Sequence, residues 1–109
     1  MSLDADAIFA KITTAGDDWA DKKAAFCLLD DMTSTVRADL TTDYRGVCKS
    51  SAEAVDRALA APRYKDHIAS LAGARRAWLL AEVRFKSLQL LAELRRSEES
   101  TRRAEMGMR

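Results

Sequence analysis

The residues of this chain best suited to chemistry are its cations. Arg75, Arg76, Arg84 and Lys86 crowd one stretch, with Arg63 and Lys65 before them and Arg95, Arg96, Arg102 and Arg103 after. Guanidinium and ammonium groups strung along one element neutralise phosphates, so what they offer is anion binding without covalent change. Tyr64, Trp78 and Phe85 lie among them and have rings that could stack on bases. All three also fall on a helical packing seam, where core duty is the plainer use. The competing use of the charges is a solvated helix with i,i+4 pairs such as Glu82–Lys86 and Glu99–Arg103.

Catalysis has little to work with. The single histidine, His67, sits on the seam beside Tyr64 and Leu71. A structural or interfacial role fits it better than acid–base work, since no thiol or hydroxyl partner lies near it in sequence. The carboxylate pairs Asp17–Asp18 and Asp30–Asp31 are adjacent, so on a helix they point about 100° apart and form a solvated face rather than a dyad. No phosphate loop, HExxH or GxSxG occurs. Cys27 and Cys48 are too few and too far apart for a disulfide scaffold or a metal knuckle, and read as two reduced thiols. The expectation is a protein that is not an enzyme, with no cofactor, metal or small-molecule substrate.

The elements that carry these residues are helices. Glycine is scarce, Pro62 is the only proline among 109 residues, and Ala and Leu dominate the apolar set. Ile8, Ile12, Ala15, Trp19, Lys22, Phe26, Leu29, Thr33, Val36 and Leu40 recur at alternating steps of four and three, a seam that faces a partner helix. Gly16 followed by Asp17 and Asp18 predicts a break and restart, giving helices at 4–15 and 17–44. Gly46 predicts a stop. Ser50 with Glu53 predicts a capping box opening a short helix at 51–61, and Pro62 suits the first turn of the next. A second seam runs Tyr64, His67, Leu71, Ala74, Trp78, Ala81, Phe85, Leu88 and Ala92. The last helix, 62–105, would be on the order of 65 Å long at 1.5 Å per residue.

The expected fold is therefore all-α and a single domain over 1–109: an elongated antiparallel helical hairpin with a short connecting helix. One copy does not suffice. Of the eighteen residues from Ala77 to Leu94, twelve are apolar, and they surround the helix instead of keeping to one stripe. A helix apolar all round is buried all round, yet Val55, Ala58 and Leu59 of the short helix are too few to cover a second face. The chain is expected to assemble as a homo-oligomer through Trp78, Leu79, Val83, Phe85, Leu90 and Leu94. Charge is also divided: residues 1–61 hold seven Lys/Arg against eleven Asp/Glu, a net of −4, and residues 62–109 eleven against six, a net of +5. That asymmetry suits self-association or an anionic partner. No run approaches the roughly 20 apolar residues of a membrane span, and Asp4 and Asp6 stand where a signal peptide needs cations. A cytoplasmic location is expected.

The segment Ala74-Arg75-Arg76-Ala77-Trp78-Leu79-Leu80-Ala81-Glu82-Val83-Arg84-Phe85-Lys86-Ser87 resembles the core motif of phage UvsY-type recombination mediators. The match rests on Arg75, Arg76, Leu79, Ala81, Val83, Phe85 and Ser87, with Tyr64 upstream and the tail Ser100-Thr101-Arg102-Arg103-Ala104-Glu105-Met106 downstream. It departs at Leu80 and Glu82, where the family carries basic residues; Arg84 and Lys86 follow a turn later. The resemblance implies a ring-like homo-oligomer that binds single-stranded DNA and helps load a RecA-type recombinase, with Arg75 and Arg76 at the matching DNA-binding positions. Arg84 and Lys86 complete the expected DNA-binding set. The alternative is a helical protein–protein adaptor or virion-associated oligomer that binds no nucleic acid.

Overall fold

The computed structural model describes residues 5–107 and is all-helical, with no strand among those residues. Its elements are α1 (Ala5–Arg45), α2 (Ser51–Ala60) and α3 (Pro62–Gly107). The seams read from the sequence are visible in the burial pattern. Every seam position of both long helices is buried or half-buried except Lys22, which is exposed.

The predicted break at Gly16 is absent. Where two helices at 4–15 and 17–44 were expected, α1 runs uninterrupted from Ala5, residue 4 lying outside the described residues. The reason is close packing: a Cβ at Gly16 would stand 3.1 Å from Cε1 and 3.4 Å from Cζ of Phe85. The glycine makes room for a ring, and that contact offsets the roughly 1 kcal/mol that glycine costs inside a helix. Asp17 and Asp18 are thus interior helical residues and not caps. Five of the six threonines of α1 meet their hydroxyl needs locally, donating to carbonyls four residues back: Thr13 to Phe9, Thr14 to Ala10, Thr33 to Leu29, Thr41 to Arg37 and Thr42 to Ala38.

After Arg45 the chain turns, with the N–H groups of Val47 and Cys48 both donating to the Tyr44 carbonyl at 3.1 Å. Ser50 caps α2, its Oγ accepting the Glu53 N–H at 3.2 Å. The Glu53 carboxylate accepts the N–H of Lys49 at 3.1 Å, so the return bond of the capping box falls one residue earlier than the usual pattern. Ala61 ends α2 in an extended conformation, as a residue before proline prefers. Pro62 then occupies the first position of α3, where its missing donor has no consequence. The last helix continues to Gly107, two residues beyond the expected end at 105.

The chain divides into two compact units. One pairs α1 up to Ala20 with α3 from Leu79 onward. There the two helices run antiparallel: Trp19 stacks on Phe85 with centroids 5.6 Å apart, while Ile8 and Ile12 share a groove with Ala92. Ile8 and Ala81 are its buried apolar residues. The other unit, Asp21–Trp78, contains α2 and so has three helices. Its core joins Val36 and Leu40 of α1 to Ala58 of α2 and to Ala61, with Tyr44 and Tyr64 packed against them. Ala54 and Ala58 are fully buried; side chains that small let α2 lie close to α1.

Candidate functional site

In the first unit, α3 has two apolar faces. At 100° per residue, Ala81, Phe85, Leu88 and Ala92 point toward α1, and Leu79, Val83, Leu90 and Leu94 point about 180° away. The outward four are 43%, 63%, 57% and 55% exposed. Leu80 and Leu91 widen the row on one side and are exposed as well. Lys86 and Ser87 lie between Val83 and Leu90 on this side, so the row is two apolar clusters, Leu79–Leu80–Val83 and Leu90–Leu91–Leu94. Such a concentration of exposed large apolar residues marks an interaction surface.

The cations border this row. Arg84 and Lys86 are both exposed; Lys86 projects about 50° to one side of the row and Arg84 about 110° to the other. Lys86 Nζ lies 3.3 Å from Glu82 Oε1, an i,i+4 pair on the surface whose net worth is a few tenths of a kcal/mol. A pair that weak leaves the ammonium available to a stronger anion. Arg75 and Arg76 are exposed too, but they belong to the second unit.

Trp78 and Phe85 are not on the outward row. Expected at an interface between copies, they are instead stacked inside their own units: Trp78 on Phe26 at 5.2 Å and 22°, Phe85 on Trp19 at 5.6 Å and 20°. Lys23 Nζ stands 5.8 Å from the Trp78 ring centroid, within cation–π range. The indole N–H of Trp78 is buried with no acceptor among the described residues, so the ring is held by its faces and not by its polar edge. Both sides of this helix are apolar, and the heptad puts the bulky rings on the side that meets α1.

His67 fastens two helices of the second unit. Its Nε2 lies 2.9 Å from Thr33 Oγ1, and the Thr33 hydroxyl donates to the Leu29 carbonyl at 3.2 Å. Cys27 and Cys48 are both free thiols. No group of three or more His, Cys, Asp or Glu that could hold a metal ion occurs among the described residues, and none of their helices is long and apolar enough to cross a membrane.

One feature was not foreseen from the sequence. In the first unit a groove of about 240 Å³ opens between the start of α1 and α3, with Phe9 on one wall and Arg95 and Arg96 on the other. Phe9 is 71% exposed, whereas every other aromatic residue is half-buried. The available signal was its position: Phe9 follows the seam residue Ile8 and so falls off the register. No protein-family model, curated protein or solved structure matches this chain.

Proposed function

We propose that this protein is a non-catalytic, self-associating helical protein that binds single-stranded DNA and helps load a RecA-type recombinase. The observation that carries the reading is the outward row Leu79, Val83, Leu90 and Leu94 with exposed cations on its borders. Covering the row with other copies removes large apolar side chains from water, at roughly 1.5–3 kcal/mol for each one fully buried. Each added copy brings Arg84 and Lys86 from its first unit and Arg75 and Arg76 from its second. Phosphate neutralisation is then multiplied by avidity, and no single copy needs a deep site. The UvsY-type resemblance over residues 74–87 supplies the recombinase-loading role.

A second reading has an observation of its own. Lys86 already faces Glu82, as it would in an adaptor whose cations form ion pairs across subunits and bind no nucleic acid. Native mass measurement combined with a salt titration of labelled oligo(dT) separates the two. The DNA-binding reading expects a multimer and a log–log salt slope of about −3 per subunit, from four cations at about 0.7 each. A multimer with no oligo(dT) affinity at low salt leaves only the adaptor.

A further inference from the structure

The groove at the start of α1 has the makings of a base-binding site. Its floor is apolar: Ile8 is 6% exposed, and Ile12 and Ala92 are half-buried. Phe9 stands at its wall with its ring in solvent. An isolated exposed apolar residue needs no explanation, but this ring borders a recess that also has guanidinium groups, Arg96 exposed and Arg95 half-buried. At about 240 Å³ the recess is smaller than the roughly 300–1,000 Å³ of drug-sized sites, which suits one planar ring better than an extended ligand. An aromatic face beside arginines is the arrangement that holds single-stranded nucleic acid, the bases stacking and the phosphates pairing with cations.

We infer that this groove takes a base of a single strand on the Phe9 ring, with Arg95 and Arg96 on the neighbouring phosphates. The inference rests on the DNA-binding reading above and adds the contact to the bases that Arg75, Arg76, Arg84 and Lys86 do not offer. Glu99, which also lines the groove, opposes the phosphates and weakens the site.

The test compares the full-length protein with Phe9→Ala, Phe9→Trp, Arg96→Gln and Glu99→Gln on labelled oligo(dT) and on an abasic strand of equal length. Phe9→Ala should weaken oligo(dT) binding by roughly 5- to 150-fold, the range for loss of one stacked base. On the abasic strand it should change little, and Phe9→Trp should retain affinity. Arg96→Gln should weaken both strands and make the salt slope shallower by about 0.7, while Glu99→Gln should tighten both. If wild type binds oligo(dT) but Phe9→Ala binds it equally well, or loses both strands equally, the groove is not a base site although the DNA-binding reading stands. The first of those results is also what a groove occupied by a protein partner would give. If wild type binds neither strand at low salt, the DNA-binding reading fails and the inference with it.

Discussion

The two units use one kind of heptad seam and cover it differently. In the second, α2 lies as a third helix on α1, and the cluster of Val36, Leu40, Ala58 and Ala61 closes around small side chains. In the first, two helices share one seam, and the opposite face of α3 carries Leu79, Val83, Leu90 and Leu94 into solvent. A seam fixes which residues two helices bury against each other. It does not fix what happens to apolar residues on the far side, which need a further layer. The second unit gains a third helix from the same chain, but over the seam residues Val36 and Leu40, and Leu28 and Met32 off the α1 seam stay exposed. The first unit, as proposed above, takes its further layer from other copies.

Leucine truncation gives the widest separation between the units. Leu40→Ala should lower the unfolding free energy by about 2–5 kcal/mol, the usual loss for a buried leucine, measured by urea denaturation. Leu90→Ala should change it by less than about 0.5 kcal/mol at a dilution where subunits are separate, yet should weaken association. Equal losses at the two positions would mean that Leu90 is already covered within the chain.

The glycines sharpen the contrast in packing. Gly16→Ala should destabilise by about 1 kcal/mol, because the new methyl meets a Phe85 ring already held by Trp19 and the overpacking outweighs the gain in helix propensity. Gly73→Ala should act in the opposite direction. Nothing lies within 4 Å of a Cβ built there, so the gain of about 0.5–1 kcal/mol for replacing an interior helical glycine stands alone. Thermal melts of the two variants under one buffer check the sign of each.

These cases also show what a reader of the sequence can and cannot extract. The alternating four-and-three spacing located both seams because burial of one face imposes that period whatever the partner. Gly46, Ser50 with Glu53, and Pro62 located the turn and the helix starts because their backbone effects are local. Gly16 was misread since a missing side chain serves a helix end and a close approach equally, and only the position of Phe85 distinguishes them. The four-and-three spacing put Trp78 and Phe85 on the seam, where both rings stack on residues of α1; it carries no information on whether a seam residue also reaches another copy. The Phe9 groove was invisible for a different reason: its walls are more than eighty residues apart in sequence, and no local pattern joins them.

The most direct trial of the account is the native mass of wild type beside the double variant Val83→Arg, Leu90→Arg, with helix content followed by circular dichroism. Wild type should be a multimer and the variant a fully helical single subunit. A wild type that is a folded single subunit at micromolar concentration, or a variant that keeps the multimer, would contradict the proposed assembly.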